Sequence, residues 1–168
     1  TEIARLLEDS SDPVQISLQR NYMLVDLVHT KITSRLLDGD FINYKQIIPA
    51  SFDTTVTVPK EQFESGLERA MLLARSEKNN LVRFDVKENV MQLSSTSEAG
   101  NITEKIPVKV TGMDIAISFN ARYYAELLKF VQSEYIVIKF TNSSSPCVVV
   151  PTDSPEDFIY LILPVRMI

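Results

Sequence analysis

Apolar positions along this chain recur with two periods, and the switching between them sets out its elements. Glu2 to Glu8 carries Ile3, Leu6 and Leu7 at helical spacing, and the polar stretch Asp9 to Pro13 ends that run. Three strand-like runs follow. Val14 to Leu18 alternates Val14, Ile16 and Leu18 with polar partners, Tyr22 to Val28 comes after an Arg20-Asn21 turn, and Thr30 to Leu37 completes the set. Helical spacing returns from Lys60 to Arg75, where Pro59 suits the first turn because that turn leaves its N–H unpaired, and again from Arg122 to Val131. Strand-like runs surround both helices. They are Thr54 to Val58, Leu81 to Val86, Val90 to Ser95 and Ile102 to Val110 for the first, and Asp114 to Phe119, Tyr135 to Phe140, Cys147 to Val150 and Phe158 to Val165 for the second.

The order strand-helix-strand-strand-strand therefore occurs twice, and a third copy without its leading strand precedes them. The expected fold class is α+β, with repeated β-α-β-β-β units and two helices packed on antiparallel sheets. Residues 51–168 are expected to form one complete domain. Residues 1–50 are expected to be the second half of a preceding, similar domain plus a connector, Ser34 to Pro49. A chain that starts at Thr1 already inside a helix reads as a fragment. The half domain is expected to be the least stable part, since it exposes the face and edge that its other half would cover.

At about 100° per residue, Phe63, Leu67, Ala70, Met71 and Ala74 share the core-facing side of the Lys60 to Arg75 helix. Leu72 points away from Phe63 and Leu73 lies on its flank, an apolar pair at the edge of a polar face that suits a subunit contact. Glu61, Glu68, Arg69 and Arg75 occupy the outer side. In the second helix Tyr124, Leu127, Phe130 and Val131 read as inward. Arg122 and Lys129 project together on the other side, placed to touch an anionic partner.

Composition narrows the functions. Seventeen basic against twenty-two acidic side chains give a net charge of -5, which argues against wrapping nucleic acid with the whole surface and requires a local positive face instead. Cys147 is the only cysteine, so neither an intrachain disulfide nor a cysteine-based metal site can form, and a cytoplasmic setting is expected. The longest apolar runs, Cys147 to Val150 and Phe158 to Val165, fall short of the roughly 18 to 20 residues a bilayer crossing needs. Enzyme chemistry finds little support. His29 is the single histidine and lies in a strand context, Asp38-Gly39-Asp40 reads as a turn rather than a cation loop, and Ser143 to Ser145 lacks the glycines of a nucleophile elbow. A metal-dependent hydrolase using Asp38 and Asp40 is the weakest reading. No catalytic residue, metal or cofactor is expected.

Three segments carry a resemblance. S-R-L-L-D-G-D-F-I-N-Y-K-Q-I-I-P, residues Ser34 to Pro49, resembles the connector between the second and third domains of the bacterial sliding clamp, the beta subunit of DNA polymerase III. There a strand ends in S-R-L-hydrophobic-x-G and continues as F-P-x-Y to a hydrophobic-Pro. S-F-N-A-R-Y-Y-A-E-L-L, Ser118 to Leu128, is similar to the clamp's F-N-x-x-Y-hydrophobic helix start. Y-L-I-L-P-V-R-M, Tyr160 to Met167, is similar to its closing M-P-hydrophobic-R-hydrophobic.

The resemblance implies a non-catalytic processivity factor for DNA replication: a head-to-tail ring, most often a homodimer of three-domain subunits, with helices lining the hole. Duplex DNA passes through without sequence readout, and the inner-face residues implied here are Arg122 and Lys129. The family also binds short motifs of the DNA polymerase III alpha subunit, the clamp loader and repair proteins in an apolar cleft between its second and third domains. Carried over, that cleft takes Ile47, Asn120, Tyr123, Leu163, Pro164, Val165, Arg166 and Met167. The subunit contact takes Leu72, Leu73 and Glu104. Ile42 stands where the family usually has proline and Gln46 where a basic residue is common. The alternative, from another class, is an α+β interaction or oligomerisation module unrelated to replication.

Overall fold

In the computed structural model, residues 2–7, 12–27, 29–74, 80–155 and 158–165 are described. Contacts divide the chain into Thr1–Ile42 and Asn43–Ile168, with the border inside the connector.

The first unit holds α1 (Glu2–Leu6) and the meander β1 (Gln15–Leu18), β2 (Tyr22–Asp26) and β3 (Lys31–Arg35). β2 pairs antiparallel with both neighbours, and a 2.9 Å ion pair from Lys31 to Asp26 joins opposed positions of the β2–β3 ladder. Among its described residues only Val25 is buried, while Ile16 and Leu18 are 62% and 69% exposed. No described strand pairs with the other side of β1.

The second unit runs α2 (Tyr44–Ile47), β4 (Thr54–Pro59), α3 (Lys60–Ala74), β5 (Leu81–Lys87), β6 (Val90–Ser97), β7 (Gly100–Pro107), β8 (Lys109–Gly112), β9 (Ile115–Asn120), α4 (Ala121–Leu128), β10 (Tyr135–Phe140), β11 (Cys147–Pro151) and β12 (Tyr160–Ile162). Its two sheets have the orders β12-β11-β10-β4-β8 and β7-β6-β5-β9. The expected duplication is present, with β4-α3-β5-β6-β7 followed by β9-α4-β10-β11-β12. The leading strand of each copy, however, joins the sheet of the other. β4 pairs along its length with β10, from Thr54↔Phe140 to Pro59↔Tyr135, and β9 pairs with β5, from Ile115↔Val86 to Asn120↔Leu81.

Both helices bury one face against these sheets. Phe63, Leu67, Ala70, Met71 and Ala74 of α3 are buried, as the helical period requires, and Gly66 joins them. A Cβ at Gly66 would come within 3.1 Å of Ile106, so glycine lets α3 approach β7 closely. Phe63, Phe84, Phe119 and Tyr124 form a set of ring contacts with centroids 5.1–5.8 Å apart, which Phe119 extends to Phe140 at 6.3 Å. This cluster draws rings from both copies.

Three expectations need correction. The run Ile102 to Val110 is two strands, β7 and β8, in different sheets. Asn89 turns the chain between them: its carbonyl accepts from Val108 N–H at 2.9 Å, and its side-chain oxygen accepts from Val110 N–H at 2.9 Å. Asn89 can do so because Glu88 and Asn89 both take positive φ, 50° and 61°, in the two-residue β5–β6 turn. Phe130, expected inward, is 74% exposed, and Leu128 is buried in its place. The helix ends at Leu128, and the Phe130 N–H to Leu127 carbonyl bond of 3.0 Å tightens the turn, so the helical period no longer governs Phe130. The run Phe158 to Val165 is a strand only over Tyr160–Ile162.

Cys147 lies buried with its Sγ 3.0 Å from the Tyr124 hydroxyl. Burial pushes its thiol from the ordinary 9.0 up to about 12, with hydrogen bonds opposing in part. Burial, and then Cys147 itself, raises Tyr124 in the same direction. Both groups are neutral in the folded state. Their contribution is complete below pH 9 and is lost as pH rises toward 12, because the unfolded chain releases these protons first. Unfolding in urea should therefore show stability falling above pH 9, and Cys147 should resist a thiol reagent at pH 8 until the chain unfolds; rapid native labelling would contradict the burial. Phe84→Ala should lower the unfolding free energy by about 3–5 kcal/mol, measured by denaturant titration.

Candidate functional site

Three surfaces of the second unit gather most of the residues singled out from the sequence. The first surrounds the start of α4. Asn120 ends β9 and caps the helix, its side-chain oxygen accepting from Arg122 N–H at 3.0 Å. That oxygen is thus engaged within the chain, which leaves the side-chain NH2 as the outward donor. Tyr123, one turn into the helix, is 49% exposed. The chain beyond β12 then arrives. Leu163 is 64% exposed, Pro164 and Val165 are half-buried, and Val165 donates its N–H to the Ser118 carbonyl at 2.8 Å. One short segment therefore leaves the five-stranded sheet at β12 and bonds to β9 of the four-stranded sheet, two residues from Asn120. Ile47 is half-buried at the end of α2. Arg166 and Met167 lie outside the described residues.

The sequence reading gives the other residues of this surface no site role. Arg83, Ser118, Ser143 and Ser144 line a groove of about 300 Å³ with Val165, and Arg83 is held by a bidentate pair with Asp85 at 2.8 and 2.9 Å. Arg83 was accessible from the outward alternation of β5, but its meeting with the chain's last described residues depends on the β5–β9 pairing. Tyr160 stacks against Phe158 with centroids 6.3 Å apart. Its hydroxyl is raised, by burial first and then by the neighbouring Glu126 and Tyr123.

The second surface is a groove of about 540 Å³ between α3 and α4, lined by Glu64, Glu68, Arg122, Glu126 and Lys129 over the apolar floor of Leu67, Met71 and Leu128. Arg122 and Lys129 do share one side of α4. Arg122 is also paired with Glu126 one turn on, at 3.2 Å, whereas Lys129 makes no ion pair with a described residue. The groove thus holds three carboxylates and two cations, a mixed rather than a strongly positive lining.

The third surface is the flank of α3 beside β7. Leu72 is 63% exposed and Leu73 half-buried. Glu104, on β7, faces the helix, and Arg69 grips it with two bonds of 2.8 Å, Nε to Oε1 and Nη2 to Oε2. The hydrogen bond from Arg69 holds the Glu104 carboxyl below the usual carboxylate range. The helical period places Arg69 among the outer-face charges, and its pairing requires β7 to lie against α3. Among the described residues no group of three or more His, Cys, Asp or Glu gathers as a metal site, and no described helix is long and apolar enough to cross a membrane.

Residues 45–166 match the family described as DNA polymerase III beta subunit, C-terminal domain. The chain is 34% identical over 167 residues to the beta sliding clamp of Streptococcus pneumoniae and 31% identical over 169 residues to that of Bacillus subtilis. These matches cover 98% and 99% of this chain but 44% of each relative, so the chain spans under half the length of the curated relatives it matches. The crystal structure of the DNA polymerase III beta chain from Streptococcus pneumoniae superposes with a TM-score of 0.85 at 33% identity, covering 99% of this chain and 45% of that one.

Because the Arg69 bond depresses Glu104, the ion pair contributes above the ordinary carboxylate range and is lost as pH falls below it. A carboxyl NMR titration should place the Glu104 midpoint below that of an exposed glutamate, and Arg69→Met should return it to the ordinary range. An unchanged midpoint in Arg69→Met would contradict the pairing.

Proposed function

This chain belongs to the beta sliding clamp family, the beta subunits of DNA polymerase III, and on that footing we propose that it forms part of a non-catalytic ring that encircles duplex DNA and tethers replication proteins to it. The observation that carries the proposal is the duplicated unit with exchanged leading strands and both helices on its sheets, in a chain that matches the family from end to end. Under this reading residues 51–168 are the third domain of the ring subunit. Residues 1–50 are the second half of the middle domain with its connector, and β1 presents the edge at which β4 and β9 pair in the larger unit.

Duplex DNA threads the ring, so retention is topological and a strong phosphate grip would only slow sliding. The α3–α4 groove suits such loose contact. Lys129 and the partly neutralised Arg122 face the DNA, while Glu64 and Glu68 keep the local attraction low. This reading accommodates the net charge of -5.

Partners dock by short linear motifs against the surface at the start of α4. Ile47, Tyr123, Leu163, Pro164, Val165 and Met167 supply apolar contact, and the Asn120 amide, the Tyr123 hydroxyl and Arg166 hold the peptide backbone. The partners are the DNA polymerase III alpha subunit, the clamp loader and other proteins with a clamp-binding motif. The setting is the cytoplasm. Leu72, Leu73 and Glu104 with the edge of β7 form the subunit contact of a homodimeric ring.

A fluorescent peptide carrying a clamp-binding motif should bind the full-length parent protein, and Tyr123→Ala with Leu163→Ala should weaken it at least about tenfold, as loss of central apolar anchors does. Unchanged anisotropy titrations in that variant would remove the docking assignment.

A further inference from the structure

The groove between α3 and α4 holds its two cations in different states. Arg122, Glu126 and Lys129 stand along one stripe of α4, because residues three and four apart are neighbours on a helix and Lys129 keeps helical φ and ψ, -64° and -26°, just past its end. Glu126 therefore lies between the two cations along the helix axis. It pairs with Arg122 at 3.2 Å, whereas Lys129 makes no ion pair with a described residue. The pair is not arranged to support the helix. Its cation sits in the first turn and its acid in the last, each at the end where the helix dipole disfavours that sign, and an acid four residues after its base is the weaker order of such a pair. Both side chains stay open to solvent, at 69% and 47% exposure.

These charges decide what an incoming phosphate meets. Resting on the ring reading above, we infer that Glu126 is a positioning residue for DNA contact: it occupies the Arg122 guanidinium in place of a phosphate, so that of the two cations only Lys129 grips the duplex. An exposed pair at this spacing is weak enough for a phosphate to displace. The displaced carboxylate nevertheless stays in the groove and repels the phosphate that replaced it. Glu64 and Glu68 on the facing helix add to that repulsion. A second phosphate contact therefore brings little net attraction, and the ring stays free to slide. Removing the charge of Glu126 alone, with Arg122 and Lys129 untouched, turns the stripe into a two-cation surface.

The test is a double-mutant cycle in the full-length parent protein, with thermal unfolding of each variant as a control for folding. Affinity for a short linear duplex is read by fluorescence anisotropy across a salt series. Glu126→Gln should tighten binding at least about threefold at low salt and steepen the slope of log affinity against log salt by about 2, one added phosphate for each of two subunits. Arg122→Ala alone should change affinity less than about twofold, and in the Glu126→Gln background it should abolish the gain. Lys129→Ala should weaken binding at least about threefold in both backgrounds. On the ring loaded onto long duplex DNA, Glu126→Gln should also slow one-dimensional diffusion. An unchanged affinity and slope in Glu126→Gln, or a loss in Arg122→Ala as large as that in Lys129→Ala, overturns the inference and leaves the ring intact. A loaded parent protein that leaves closed circular duplex as fast as linear duplex overturns the ring reading and this inference together.

Discussion

The larger unit depends on an exchange of strands between two copies of one motif. β4 hydrogen-bonds to β10 and β9 to β5, so each copy supplies the strand that completes the other's sheet. Neither copy has a closed sheet alone. The aromatic cluster follows from this exchange, since Phe63 and Phe84 come from one copy and Phe119, Tyr124 and Phe140 from the other. Burying these rings therefore requires both copies at once. The pairing partners are far apart in sequence, with Thr54 opposite Phe140, so most of the chain must be ordered before the pairing is secured.

The same exchange positions the candidate surfaces. Because β9 lies beside β5, the strand that leads into α4 sits next to Arg83, and the segment after β12 reaches it by one main-chain bond from Val165. The surface around the α4 cap is thus assembled from both sheets, from β9 of one and from the segment after β12 of the other. Because α3 packs over β7, helped by Gly66, Arg69 can reach Glu104 and the outer edge of β7 is left flanked by leucines. Charge is distributed to match. The groove between the helices carries both signs, and Arg83, Arg69 and Arg122 each have a carboxylate partner, with Lys129 outside that pattern.

The first unit illustrates the constraint by contrast. It has the meander of the repeat, yet Val25 is its one buried described side chain, and Ile16 and Leu18 face outward. Among the described residues its three-stranded sheet has one short helix and no further strand, which leaves little to pack against.

Much of this was legible in the sequence. The two periods of apolar residues located the helices and most strands, and the spacing within α3 named its buried face residue by residue. The S-R-L, F-N and L-P-V-R segments marked the family before any geometry was known. Local pattern could not show which strand pairs with which, because period 2 is the same on either side of a sheet. It therefore ran β7 and β8 together, where one carbonyl and one side chain of Asn89, distant in sequence, turn the chain from one sheet to the other. It also carried the helical period past Leu128 and placed Phe130 inside, where a tight turn had already ended the helix. The pairing of Arg69 with Glu104, and of Val165 with Ser118, joins residues 35 and 47 positions apart that carry no shared motif. The sequence by itself determined both long helices, most strands, the buried face of α3 and the family. The tertiary structure alone decided the exchange of leading strands and the pairing of Arg69 with Glu104, because both depend on contacts that form only when distant segments meet.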